Sequence, residues 1–333
     1  MAEKKVGFRF NTLLLVLFVF SAFTIPPFLG EGSIRVVTAL TRWHSQDALV
    51  IFSLRLPRIV FAFLVGGGLA LVGAAFQALL RNDLATPYTL GVSSGGALGA
   101  VLALKLGLDV QLLGFSSVTL LSIAGSFLSL LIIYWVAQSR SGFAEYSLIL
   151  AGVTISLTFS AFILFIHYLS DFTETFRMIR WLMGGLSVTG WTYPNTLLVL
   201  FLPITIFFIY HAQAFNILTM GSDLARTKGV DVPDLQKKSL ILGSLLVGAA
   251  VSMAGPIGFV GLIVPHILRL LYGPDHRRLF WLSAVVGGAF LIWCDTLARS
   301  VIYPAEVPVG IITSLLGGPF FIYLLVKQKR SAG

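Results

Sequence analysis

Residues 239–272 read SLILGSLLVGAAVSMAGPIGFVGLIVPHILRLLY, an apolar stretch with Arg269 as its one charged side chain. A helix needs roughly 20 apolar residues to cross the hydrocarbon core of a bilayer. This stretch is too long for one crossing and too short for two full ones with a turn. Its middle, GPIGFVG at 255–261, holds three glycines and a proline, which argue against a continuous helix. Read as a reversal, it gives two passes, one of them short. A short or broken helix is tolerated at membrane depth only where protein or a cavity surrounds the exposed backbone.

The rest of the chain agrees that a membrane is the solvent. Of 333 residues, 57% are hydrophobic and 11% charged, and the mean hydropathy is +0.92; soluble domains carry about a quarter charged residues. Stretches free of Asp, Glu, Lys and Arg fall at 10–30, 59–80, 84–104, 110–139, 146–170, 181–222, 239–268, 279–294 and 307–326. Nine spans would put the basic clusters Arg277–Arg278 and Lys327, Lys329, Arg330 outside, against the positive-inside rule. Dividing 239–272 makes ten spans with both termini cytoplasmic, and the 23 lysines and arginines then divide fifteen inside to eight outside. The net charge of +9 is thus spread over short loops, a membrane-orienting pattern and not a nucleic-acid footprint. The N-terminal MAEKKVGFRFNTLLLVLFVF has the basic head and apolar run of a signal peptide, but no small-x-small cleavage site precedes Pro26–Pro27. It reads as a retained first span.

A second irregularity, RNDLATPYTLGVSSGG at 81–96, also sets Gly and Pro beside an apolar run. In a ten-span chain the two irregular regions run oppositely through the membrane, as in an inverted repeat. Gly91-Val92-Ser93-Ser94-Gly95 matches the G-x-S-x-G of serine hydrolases, but that elbow follows a strand. Between membrane helices, small residues read as close packing. The five histidines show no metal-ligand spacing. Cys294 is the one cysteine, so no internal disulfide forms. Intramembrane charge is scarce; Asp295 and Arg299 have the i,i+4 spacing of a local ion pair. That scarcity argues against ion-coupled secondary transport, the alternative reading. GxxxxGK[ST] is absent, so no P-loop binds ATP here and any energy for transport comes from a partner.

Residues 220–238, MGSDLARTKGVDVPDLQKK, carry seven charged side chains and fall between spans six and seven, in the cytoplasm. Ser222 or Asp223 can cap a short helix there, and Gly229 can end it. Such an element reads either as a solvated loop or as a helix seated in a groove of a soluble subunit.

In order and spacing, LRLPRIVFAFLVGGGLALVGAAFQALLRNDLATPYTLGVSSGG (54–96), LILAGV (148–153), GSDLARTKGV (221–230) and AGPIGFVGLIVPHILR (254–269) resemble the FecCD-type permeases of ABC importers for iron-siderophore, haem and cobalamin. The resemblance covers essentially the whole chain. It implies an all-α polytopic protein of about ten transmembrane helices, a type II ABC importer permease. Residues 1–333 would form one transmembrane domain with a cytoplasmic coupling loop at about 213–238. It also implies a non-catalytic subunit of the bacterial inner membrane that binds no cofactor, with ATP and Mg held by its partners. Those partners are a second permease subunit, most simply a homodimer, two cytoplasmic ATPase subunits and an extracytoplasmic substrate-binding protein.

By the same resemblance, Gly221, Ser222, Asp223, Leu224, Ala225, Arg226, Thr227, Lys228, Gly229 and Val230 form the coupling helix that sits in a cleft of the ATPase. Arg55, Arg58 and Arg299 match arginines that pair with glutamates of the binding protein; rim charges of this kind speed encounter and fix docking register, although snorkelling is the plain alternative. Asn82 and Leu84, with Glu145 and Tyr146, match an inner gate. The cobalamin permease has small hydroxyl residues at the second pair, where this chain has a bulkier and charged one.

Overall fold

The computed structural model describes residues 2–29, 45–112, 114–138, 145–302 and 305–331, with side chains at 11–29, 45–112, 114–136, 148–302 and 305–323. Seven helices are long and apolar enough to cross a membrane: α1 (Ala2–Thr24), α2 (Leu56–Leu79, with a helical lead-in from Gln46), α4 (Ser117–Gln138), α5 (Glu145–Tyr168), α7 (Thr192–Tyr210), α10 (Val232–Ala254) and α12 (His276–Ser300). Three shorter apolar runs, in α3 (Val92–Lys105), α11 (Val260–Tyr272) and α13 (Val309–Ser331), bring the described set to ten. Three further helices lie between the spans: α6 (Phe172–Leu182), α8 (Ala212–Leu218) and α9 (Ser222–Thr227). The chain is thus a multi-pass helical bundle.

The stretch 239–272 divides as its glycines require. α10 stops at Ala254, Gly255 turns at φ 69°, and α11 starts after Phe259, itself left-handed at φ 67°. The second member of the pair is the short one. A phenylalanine with positive φ is strained, and it is held by room made elsewhere: a Cβ on Gly317 of α13 would stand 2.4 Å from the Phe259 Cβ. Protein covers part of the break, and Gly258 and Phe259 line a cavity beside it. Ile257 is buried, and the orphan carbonyl of Ala254 accepts the Gly185 N–H at 2.7 Å. Gly185 follows α6, whose end therefore closes over the break.

All but the last two residues of α6 lie outside the charge-free windows because the helix holds Glu174, Arg177 and Arg180. Its helix is set by a complete capping box: Asp171 Oδ1 accepts the Glu174 N–H at 2.8 Å, and Glu174 Oε2 accepts the Asp171 N–H at 3.2 Å. Met178 is fully buried beneath it. Lys105, at the end of α3, pairs with Glu174 at 2.7 Å and donates to the Leu169 carbonyl at 2.8 Å.

The other irregular region behaves like the first. After α2 the chain turns through 80–91, and α3 starts behind left-handed Gly91 at φ 79°. Long α2 packs along α11 and α12, while long α10 packs along α3 and α4. Each long helix thus lies beside the short helix that follows the other break. The two breaks also touch, since the Ile257 N–H donates to the Tyr88 hydroxyl. Small residues make these contacts possible. A Cβ on Gly73 would stand 2.6 Å from the Gly261 Cα, and one on Gly96 2.6 Å from Ser126 Oγ. Ser93 of the G-x-S-x-G run is buried in the first turn of α3, with no strand before it.

The helix through Gln46–Leu79 is 34 residues long, about 51 Å at 1.5 Å per residue, against a hydrocarbon core of about 30 Å. It is thus longer than one upright crossing requires. Val50–Arg55 winds as a π-helical turn just before Pro57, a register change placed where proline lacks a donor. The Phe52 and Ser53 carbonyls of that turn accept Trp191 Nε1–H at 3.1 Å and the Gly190 N–H at 2.8 Å.

Candidate functional site

Three groups stand out, the first at the C-terminal end of α12. There, Asp295 is 3% exposed. Arg58 reaches it from α2, with Nε to Oδ2 and Nη2 to Oδ1 both at 2.9 Å, a two-pronged pair. Arg299 adds the i,i+4 ion pair expected from spacing, at 3.2 Å. Arg58 Nη1 also meets Glu306 at 3.1 Å, and that carboxylate is half exposed. Arg55 is buried and donates to the Pro27 carbonyl at 2.9 Å. The three arginines singled out in the sequence therefore share one end of the bundle. Two converge on Asp295, while Arg55 turns towards the first span. Spacing exposed the Asp295–Arg299 pair; it held no signal for Arg58 and Glu306, which lie 248 positions apart.

A second group lies where α2 ends. Arg81 has φ 43°, and the Asn82 N–H returns to the Gln77 carbonyl at 3.0 Å. Asn82 Oδ1 accepts the Leu84 N–H at 2.9 Å, a side-chain turn that leaves Leu84 exposed. Gln77 Nε2 donates to the Gly261 carbonyl at 3.1 Å, and Arg269 of α11 donates to both Gln77 and Asp83. The Asn82–Leu84 turn is thus clamped to the second broken helix by Gln77 and Arg269, residues the sequence did not single out. Beside it, Leu84, Tyr88, Phe259, Leu262 and Phe321 line an apolar cavity of about 380 Å³. Glu145 and Tyr146 open α5, and their side chains lie outside the described residues.

The third group is α9. Gly221, at φ 128°, occupies the N-cap position and supplies no side-chain bond. The expected cap by Ser222 or Asp223 is thereby corrected: Ser222 is already helical, and Asp223 sits in the first turn, where its charge suits the helix dipole. The expected stop at Gly229 is present. Its φ is 82°, its N–H bonds the Arg226 carbonyl at 3.0 Å, and the Val230 N–H bonds the Ala225 carbonyl at 3.0 Å. These are the two bonds of a Schellman closure, with left-handed glycine at C′. Ala225 is fully buried, whereas Asp223, Leu224, Arg226, Thr227 and Lys228 are exposed. A six-residue helix is thus pinned by one methyl group and turns a mixed charged and apolar face outward.

Asp275 caps the opposite end of α12 from Asp295, twenty residues away, or about 30 Å along the helix. Its carboxylate accepts the Asn216 amide at 2.7 Å and the Arg277 N–H at 3.0 Å. Donation from Asn216, then from the Arg277 N–H, holds Asp275 below the usual carboxylate range. α9 and the arginine–carboxylate group therefore lie at opposite ends of the bundle.

Comparison with known proteins bears on this arrangement. The model of the FecCD transport family matches residues 13–327. The ABC transporter permease protein YvrB of Bacillus subtilis is 40% identical, over 99% of this chain and 98% of its own. The hemin transport system permease protein HmuU of Yersinia pestis is 39% identical, over 87% of this chain and 88% of its own. A solved metal-chelate type ABC transporter in an inward-facing conformation superposes with a TM-score of 0.80 at 31% identity, covering 97% of this chain and 99% of its own. With a matching family model over almost its full length and relatives of this similarity, the chain belongs to the FecCD transport family, the permeases of ABC importers for iron chelates, haem and cobalamin.

Proposed function

We propose that this chain is the membrane half of an ATP-driven importer whose cargo is an iron chelate, a ferric siderophore or haem, with cobalamin as the remaining chelate class. Two copies form the pore in the bacterial cytoplasmic membrane, two ATPase subunits bind beneath, and a binding protein delivers cargo from outside. ATP and Mg belong to the ATPases. The observation that carries the reading is α9: a short helix closed at Gly229 and anchored by buried Ala225, with Asp223, Leu224, Arg226 and Lys228 turned outward. Its end of the bundle is the one the positive-inside rule assigns to the cytoplasm. Burial of Asp295 within an ion-pair group, in place of a free ionisable carboxylate, supports drive by a partner over drive by an ion gradient.

At the outer end, Arg58 and Arg299 receive the binding protein. Half-exposed Glu306 is the partner that an incoming carboxylate displaces, and Arg55 steadies the lead-in of α2. At the inner end, Asn82 and Leu84, with Glu145 and Tyr146 opening α5, form the gate. A large rigid chelate crosses best through an apolar passage with few fixed contacts, so the choice of cargo falls to the binding protein. The test is capture of the cognate ATPase on the purified permease. The native chain retains it, and the D223K/R226E double variant loses it at unchanged melting temperature, because both side chains are exposed. Capture undiminished in that variant would remove α9 as the coupling element.

A further inference from the structure

α9 rests chiefly on two neighbours, α8 and α10. Movement of α9 therefore leaves it by two routes, and α8 is the one that leads to α12. Three residues, Thr219, Met220 and Gly221, join α8 to α9, too few to absorb much displacement. Both ends of the Asn216 side-chain amide on α8 are engaged at the start of α12. Its Nδ2 donates to Asp275 Oδ1 at 2.7 Å, and its Oδ1 accepts both the His276 backbone N–H and His276 Nδ1–H at 2.8 Å. Asp275 is the N-cap of α12, so Asn216 grips the capping residue and the first helical residue together. Beside this grip the Phe215 ring meets the Phe280 ring edge-on at 5.1 Å and 86°. Seen from α8, α12 is a rigid lever whose far end carries Asp295 with Arg58 and Arg299.

We propose that Asn216 is a positioning residue that passes movement of α9 to α12, by locking α8 onto the first turn of α12 through both ends of one amide. The proposal rests on α9 being the ATPase-coupling helix. Loss of Asn216 leaves the Phe215–Phe280 contact, so α8 still packs, but its displacement is no longer handed on with direction. The donor–acceptor pattern also admits an exchange. N216D alone faces Asp275 with a second carboxylate, whereas N216D/D275N lets the new amide at 275 turn so that its Nδ2 donates to the carboxylate at 216 while its Oδ1 accepts the Arg277 N–H. That carboxylate still accepts both His276 donors, and asparagine remains a good N-cap.

The experiment uses the full permease–ATPase complex in lipid nanodiscs, with Cys294 replaced by alanine and spin labels on Q111C and S300C; residue 300 ends α12 and residue 111 is exposed. Pulsed electron–electron distances are read without nucleotide and after trapping with ATP and vanadate. The native pair shifts on trapping, N216A and N216D lose the shift while retaining the ATPase, and N216D/D275N restores it. An undiminished shift in N216A, or an exchanged pair no better than N216D alone, overturns the assignment. Absence of any shift in the native pair would overturn this proposal, whereas failure of the permease to hold the ATPase at all would overturn the reading on which it rests.

Discussion

Replacing Asp295 by alanine tests the outer polar group most severely. Its carboxylate is shared by Arg58 and Arg299, whose side chains are 15% and 11% exposed. Arg58 keeps Glu306 as a second partner, but Arg299 loses its one ion-pair partner among the described residues. Breaking a buried pair by removing one member costs about 3–5 kcal/mol, because an uncompensated charge remains. At roughly 2 °C per kcal/mol for a large domain, D295A should melt on the order of 6–10 °C below the native chain in detergent. Removing an arginine is milder, since Asp295 retains the other, so R58A and R299A should each fall short of D295A. The D295A/R299A double variant should recover part of the loss, because no stranded charge remains. Melting curves by intrinsic tryptophan fluorescence supply all four values. A D295A chain within 2 °C of native, or a double variant worse than the sum of its singles, would refute the stranded-charge reasoning.

Three further outcomes follow from the packing and the caps. G73A places a Cβ against the Gly261 backbone and should cost about 1–3 kcal/mol by overpacking, whereas G258A, with open space around it, should melt like the native chain. G229A forces a Cβ into φ 82°, a strain of about 1–2 kcal/mol; it should weaken ATPase capture without lowering the melting temperature of the bundle. Asp275 titrates lower in the folded chain than its ordinary 3.8, so its contribution is present above that value and is lost as pH falls through the folded one. N216A should therefore melt below the native chain by a constant margin from pH 6 to 8, and that margin should shrink as pH falls below about 4.

Much of this fold was legible because lipid imposes few solutions on a chain. Length and charge placement required the reversal inside 239–272, and its Gly–Pro run located it. Left-handed Gly229 was readable as a helix stop from its place after a charged six-residue stretch. α6 was missed for a definite reason. A search for charge-free windows passes over a helix that alternates Phe172, Phe176 and Ile179 with Glu174, Arg177 and Arg180. The capping-box pattern of Asp171 and Glu174 was present and would have marked its start. What no local pattern carries is contact at long range. Arg58 and Asp295 are 237 positions apart and Asn216 and Asp275 are 59 apart. Each pairing exists only because the bundle folds α2 and α8 against opposite ends of α12.

The sidedness of α9 decides the account, and one labelling measurement reads it. In a Cys294→Ala background, K228C places a thiol on the exposed turn that closes α9. A membrane-impermeant maleimide added to intact cells should leave it unlabelled, and the same reagent should label it once the cells are opened and the membranes stripped of bound ATPase. Labelling in intact cells would put α9 on the outer face, away from ATP, and contradict the importer mechanism set out above.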